Sequence, residues 1–147
     1  MVSGSAVREL PFAREQVYDI AADVERYPEF LPWWICAHVT SRDAQGCHVN
    51  QVLGFGPLRL PFATTAIFRR PERIDVSSSD PPFRQYRLSL QFDAPSAGAC
   101  RLSVASTVEL ESAVMQRIAD RLLPRSIDQI VLAFSARARS VYGPPRA

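Results

Sequence analysis

Residues 18–34 read YDIAADVERYPEFLPWW. Two tyrosines, a phenylalanine, two tryptophans and two prolines fall within this one stretch. A solvent-facing loop gains nothing from so much aromatic surface, so the segment has to cover or fill something. Just upstream, apolar residues fall at 13, 17, 20, 21 and 24, a helical spacing that defines one buried face. Asp23 stands where that helix should end, and Pro28 and Pro32 forbid a long continuation. The stretch therefore reads as a helix end, a tight bend, a short helical turn around RYPEF, and a strand beginning at PWW.

On the N-terminal side, residues 4–10 alternate as a first strand, which Pro11 and Phe12 break. On the C-terminal side comes a run of strand signals. WWICAHVTSR is followed by the turn DAQG, and CHVNQVLGFG then puts Cys47, Val49, Gln51, Leu53 and Phe55 on one face. Leu58, Leu60, Phe62, Thr64, Ala66 and Phe68 share a face of the next run, where Pro61 marks an edge or a bulge. ERIDVSSS is a short strand with Ile74 and Val76 in alternation. FRQYRLSLQF places Tyr86, Leu88, Leu90 and Phe92 on one side. ACRLSVASTVELE places Cys100, Leu102, Val104, Ser106, Val108 and Leu110 inward. Six strands at hairpin spacing, each apolar on one face only, predict an antiparallel meander with one buried and one wet face.

The tail carries Leu123, Ile127, Ile130, Val131, Phe134, Ala138 and Val141 at intervals of three and four, a single apolar helical stripe. Pro124 suits a helix start or a kink, with a shorter helix before it around 113–122. Gly143, Pro144 and Pro145 end the element. The element order is strand, helix, short helix, six strands, long helix. An amphipathic helix laid across the concave face of a curved sheet buries both apolar faces, which makes the class α+β. A sheet gripping one helix in this way leaves room for a cavity between them, with 27–34 near one end.

The chain of 147 residues is 47 % hydrophobic, which fits one domain spanning 1–147. No stretch approaches the roughly 18 apolar residues of a membrane span, and the first ten residues lack a secretory pattern, so a cytoplasmic location is expected. Net charge is +2, and every basic residue is arginine. Arg69, Arg70, Arg73, Arg84 and Arg87 cluster along the chain; they suit a solvated sheet face or an anionic partner such as RNA, though no nucleic-acid motif accompanies them. Cys36, Cys47 and Cys100 form no metal-ligand spacing and read as buried free thiols. His38 and His48 lie in strands with no carboxylate near them in sequence, so neither a metal nor another cofactor is expected. There is no nucleophile elbow, and GFGPLRL lacks the following helix of a phosphate cradle. Tyr86, Ser106, Thr64 and His38 can point inward as hydrogen-bonding wall residues, and Glu109 and Glu111 fall on the outward alternation.

DVERYPEFLPWW resembles the D-V-x-x-Y-P-x-F-L-P-W signature of the coenzyme Q-binding family, within the START-like, helix-grip superfamily. FSARARSVYG resembles that family's C-terminal pattern, and RRPERIDV and PPFRQYRLSLQF resemble its middle strands. The same family includes ribosome association toxins and polyketide cyclase-like chains. The likeness runs from about Val7 to Gly143. There are departures: Pro81-Pro82-Phe83 replaces the usual Gly-Pro-Phe, Leu90 replaces a tryptophan, Tyr86 replaces a leucine, and Trp34 follows Trp33 where cysteine is frequent. With Leu90 facing the cavity, that exchange would open space.

The resemblance implies a curved seven-stranded antiparallel sheet around a long C-terminal helix, with two short helices after the first strand. It also implies a lipid pocket between helix and sheet. Combining inward alternation with the helix stripe gives Phe62, Leu90, Phe92, Val108, Ile127, Val131 and Phe134 as its lining. Phe30, Trp33 and Trp34 would wall one end, with Tyr86 as a polar wall residue. Arg137, beside the stripe, would tether a ligand oxygen or form a structural ion pair. Three functions stay open: a binding protein for ubiquinone or a similar polyprenyl lipid; a ribosome-binding inhibitor of subunit association; and a polyketide aromatase/cyclase, the enzyme reading. The expected partners are a quinone or polyketide-like small molecule, a ribosome in the toxin reading, and a transient contact with the inner membrane.

Overall fold

The structure is a computed structural model and describes residues 1–55 and 57–144. Seven strands form one antiparallel sheet: β1 Val2–Leu10, β2 Trp34–Arg42, β3 Gly46–Phe55, β4 Leu58–Arg69, β5 Arg73–Ser78, β6 Phe83–Asp93 and β7 Cys100–Leu110. Their order is β1-β7-β6-β5-β4-β3-β2, so six strands follow one another as hairpins while the first strand crosses over to pair with the last. Helix α1 (Arg14–Ala22) and a 3-10 turn (Val24–Glu29) make that crossing, and helix α2 (Ala113–Tyr142) lies across the sheet. The sheet and helix are those expected, and β1 begins two residues earlier than its alternation suggested.

Alternation decides the faces. In β4, β6 and β7 every second residue is buried or half-buried, and Leu60, Phe62, Tyr86, Leu88, Leu90, Phe92, Leu102, Val104 and Val108 all point under the helix. Gly46, closing the turn from β2 to β3, is required by close approach: a Cβ there would lie 1.8 Å from the Ala66 carbonyl oxygen. Asp43 holds the same turn by accepting from the N–H groups of Gln45 at 2.8 Å and Gly46 at 3.0 Å. Pro61 pairs with Val52 of β3, but β5 reaches only Thr65–Arg69 of β4. The missing N–H of Pro61 thus falls on a stretch of β4 that is locally an edge, as its ring demands.

Helix α2 corrects the reading of Pro124 as a boundary: it runs unbroken through that residue for 30 residues. Ser112 caps its start, accepting from the Met115 N–H at 3.3 Å, and Gly143 ends it in the left-handed region with φ 81°. Pro124 offers no N–H to the Asp120 carbonyl, and two residues on the Ser126 hydroxyl donates to the Leu122 carbonyl at 2.6 Å. The two halves differ in burial. Ser126, Ile127, Ile130, Val131, Phe134, Ser135 and Ala138 are buried, whereas Met115, Ile118, Ala119 and Leu123 are half-buried and Leu122 is exposed. Val141 also departs from expectation, since the stripe has left the core there and the residue is exposed.

The aromatic stretch clamps the second half of α2. Asp23 closes α1 as expected, and the 3-10 turn carries Pro28. Tyr27, 3 % exposed, donates its hydroxyl hydrogen to the Ala21 carbonyl and presents ring edges or faces to Phe30 at 6.0 Å, Trp34 at 5.8 Å and Phe134 at 6.1 Å. Phe30 meets Phe134 at 5.4 Å. Such pairs contribute about 0.5–1.5 kcal/mol each beyond the area they bury. Phe134→Ala should lower unfolding free energy in urea by about 3–5 kcal/mol, since the cavity left behind is walled by rigid rings. Tyr27→Phe, which keeps the ring and frees only the Ala21 carbonyl, should cost about 1 kcal/mol.

Candidate functional site

Under the first half of α2 lies an apolar recess. Its floor is Leu53, Leu58 and Leu60 from β3 and β4, Phe83, Tyr86 and Leu88 from β6, and Ser106, Val108 and Leu110 from β7. Its roof is Met115, Ile118, Ala119, Leu122, Leu123, Ser126, Ile127 and Ile130, with Trp33 and Trp34 at one end. The cavity it encloses is about 60 Å³. Both serine hydroxyls on its wall are committed to backbone carbonyls, Ser106 to Arg87 at 2.9 Å and Ser126 to Leu122 at 2.6 Å. Neighbouring strand residues ordinarily face opposite ways, yet both tryptophans reach the recess. Trp33 adopts φ 70° immediately before β2 begins, which turns its side chain onto the same side as Trp34.

The structure gathers Trp33, Trp34, Tyr86, Val108 and Ile127 of the expected lining around this recess. It places the others elsewhere. Phe62 packs behind it, against Phe83 at 4.5 Å and Tyr86 at 5.0 Å. Leu90 and Phe92 are fully buried under other side chains, Leu90 opposite Ile74 and Val104, and Phe92 against Tyr18 at 5.3 Å. Leu90 therefore opens no space in the recess, and an indole there would have to displace packed neighbours. Val131 and Phe134 lie on the half of α2 that seals the core. The roof residues Met115, Ile118, Ala119 and Leu122 were not foreseen as lining, although their spacing of three and four is a helical signal. Reading Pro124 as a break separated them from the rest of the stripe.

Phe30 and Arg137 belong to a different feature, an open cleft of about 280 Å³ with Asp19, Ile20, Asp23, Arg26, Val141 and Tyr142. Arg137 donates to Glu29 at 3.2 Å and lies over the Phe30 ring at 5.0 Å. Of its two readings, the geometry is that of the ion pair, which ties the 3-10 turn to the end of α2. The arginine cluster is dispersed in a similar way. Arg70 pairs with Asp19 at 3.1 Å, Arg73 with Asp75 at 2.8 Å, and Arg69, Arg84 and Arg87 are exposed on the outer face. Burial pushes the Asp75 carboxyl up, but the Arg73 guanidinium and Ser89 hydroxyl together hold it below its ordinary value.

Of the residues read as inward polar groups, Thr64, Tyr86 and Ser106 are buried, and Thr64 donates to the Val49 carbonyl at 3.3 Å. His38 is corrected: it faces solvent, with Nδ1 3.4 Å from Glu25, a carboxylate distant in sequence but close in the fold. His48 is also exposed, beside Thr65 at 3.2 Å. Among the described residues, no three of His, Cys, Asp and Glu come together to hold a metal. Burial pushes the Tyr86 phenol up, against a smaller opposing effect of the Gln51 amide, so it stays protonated at neutral pH and can donate.

A family model for polyketide cyclase/dehydrase and lipid transport proteins matches residues 10–135. The chain belongs to this family. Among its relatives is the ribosome association toxin RatA of Pseudomonas aeruginosa, 26 % identical over 91 % of this chain and 93 % of that one. The mitochondrial coenzyme Q-binding protein COQ10 of Drosophila melanogaster is 23 % identical over 91 % of this chain and 57 % of its own length. In solved structures, a START superfamily protein from Mycobacterium smegmatis superimposes with a TM-score of 0.82 at 15 % identity, covering 95 % and 98 % of the two chains. The family's helix-grip architecture is thus that of the sheet and α2 described above.

Cysteine chemistry separates core from surface. Cys36 is exposed, which corrects the expectation of three buried thiols, while Cys47 and Cys100 are buried. Burial raises the Cys47 thiol and pushes Cys100 up to about 12, so both stay protonated and unreactive at neutral pH. Thiol titration of the native protein at mild alkaline pH should therefore modify Cys36 alone, and all three cysteines should react once the chain is unfolded.

Proposed function

We propose that the chain is a START-like binding domain over residues 1–147 that holds a neutral hydrophobic molecule, a quinone or related polyprenyl lipid, in the recess beneath the first half of α2. The observation that carries this reading is the recess wall, which is almost wholly aliphatic and aromatic. Carriage fits better than catalysis, because the wall serines are spent on backbone carbonyls and Tyr86 is held in its protonated form. The name of the Drosophila relative supports a quinone. The family's description also covers polyketide cyclases, whose chemistry would need an acid and a base facing the recess.

An open cavity of about 60 Å³ is smaller than the few hundred Å³ of a ligand pocket. Loading therefore requires the first three turns of α2 to lift from the sheet. Their half-buried contacts and the proline at 124 suit that motion, and the buried half from Ser126 onward stays in place. Exposed Arg117, Arg121 and Arg125 flank the moving half together with exposed Val114 and Leu122, a face suited to a transient contact with an anionic membrane. Among the described residues no helix is long and apolar enough to cross a membrane. The location is read as cytoplasmic, peripheral to the inner membrane. Amide hydrogen exchange should be faster across 114–123 than across 126–138, and a quinone should slow the first segment selectively.

A second reading is favoured by the RatA relative, whose match covers nearly its full length. In it the exposed arginines of the outer sheet face, Arg69, Arg84 and Arg87, contact the ribosome. The two readings separate in one experiment. Quinone binding, followed by quenching of Trp33 and Trp34, should weaken by about tenfold or more in Ala119→Leu, which fills the roof, and stay within about twofold in Arg84→Ala/Arg87→Ala. The reverse pattern, with the arginine variant alone losing co-sedimentation with ribosomal subunits, would move function to the outer face.

A further inference from the structure

Two hydrogen-bond donors beside the recess are left without a well-formed hydrogen bond among the described residues. Gln51, 6 % exposed on β3, and Trp34, 7 % exposed at the start of β2, are both more than nine-tenths buried. The Trp34 Nε1 group is enclosed and unpartnered, and Gln51 Nε2 makes no hydrogen bond of full geometry, although the Tyr86 phenol oxygen lies near enough to feel its amide. Both side chains wall a small void of about 10 Å³ that shares Trp34, Tyr86 and Leu88 with the recess. Buried donors are nearly always satisfied, so such a pair calls for an acceptor from outside the chain. The third atom of this kind, the Tyr18 hydroxyl, lies on α1 away from both volumes.

We propose that this void receives one neutral carbonyl oxygen of the bound molecule, held between Gln51 Nε2 and Trp34 Nε1. The inference rests on the reading that the recess takes an apolar ligand, and it adds which part of that ligand enters first. The indole fixes the sign, because it can only donate, whereas an amide can be turned. Tyr86, whose buried phenol stays protonated, adds a third donor at the shared wall. The Thr64 hydroxyl at the same void is already committed to the Val49 carbonyl. A space of about 10 Å³ is at the lower limit for a water molecule and suits a single oxygen carried on a planar group. Among the described residues no cationic side chain lines either volume, so a carboxylate would be buried without a counter-charge. An alcohol would bring its own donor into a cluster already rich in donors. The ligand class is therefore a ketone or quinone with a hydrocarbon body.

The test uses the full chain and three matched probes: methyl nonyl ketone, the corresponding secondary alcohol and the corresponding alkane. The ketone should bind about tenfold more tightly than the alkane, and its carbonyl stretch should fall below its value in hexane, as two donors polarise the bond. Gln51→Leu should bring ketone affinity to within about threefold of the alkane's while leaving alkane binding intact. Equal affinities for ketone and alkane in wild type, or an unshifted stretch, would mean that the donors serve water only and would overturn the carbonyl assignment while the apolar-ligand reading stood. Binding of none of the three probes would overturn both. If Gln51→Leu does not fold, the infrared shift in wild type decides alone.

Discussion

The edge-on packing of Phe134 against Tyr27 and Phe30 joins three parts of the chain that local sequence preferences leave independent: α2, the 3-10 turn and, through Trp34, the first residue of β2. Without that contact the turn has no reason to sit at the end of the sheet, and α2 has no fixed angle across it. The buried hydroxyl of Tyr27 adds direction by binding the Ala21 carbonyl near the end of α1, which fixes how far the turn can roll. Aromatic rings are suited to this role because they bury large areas while losing few rotamers, and their edge-to-face preference sets orientation as well as proximity.

From that clamp the rest of the helix follows in two regimes. From Val131 to Ala138 the apolar stripe of α2 is buried in the core and lines none of the recess. Before Pro124 the same stripe meets a wall that stands farther off, and its residues stay half-exposed around the recess. The proline removes one rung of the hydrogen-bond ladder where the regimes change. The recess is thus a consequence of where the helix is held, and its polar end is set by β2 and β3, which belong to the fixed part.

Most of the architecture was legible because period-two and period-three-to-four patterns are written residue by residue: β4, β6 and β7 could be assigned to faces from Leu60, Leu88 or Val104 alone. The resemblance supplied the topology. What could not be read was depth. Leu90 and Leu88 share one face of β6, yet Leu90 is sealed and Leu88 borders the recess, because that depends on what the rest of the chain lays over each. Arg137 looked available to a ligand because Glu29, its partner, is 108 residues away in sequence. Cys36 looked buried because its spacing suits neither a disulfide nor a metal, but the β2–β3 register shifts between Trp34 and Cys36 and leaves the thiol outside. Trp34 could be seen to be aromatic and Gln51 to face inward, but that the indole N–H is left without a partner appears only in the folded chain.

The division of α2 at Pro124 also bears on how such a chain can change over evolutionary time. Substitutions at Met115, Ile118, Ala119 and Leu122 alter the shape of the recess at positions where little packing is lost, so new ligand shapes can be explored without first acquiring compensating mutations elsewhere. The Tyr27–Phe134 clamp carries the opposite burden, since nearly any exchange there threatens folding itself. One helix therefore holds an innovable half and a constrained half in series, and descendants of one ancestor can diverge in what they hold while keeping the same scaffold.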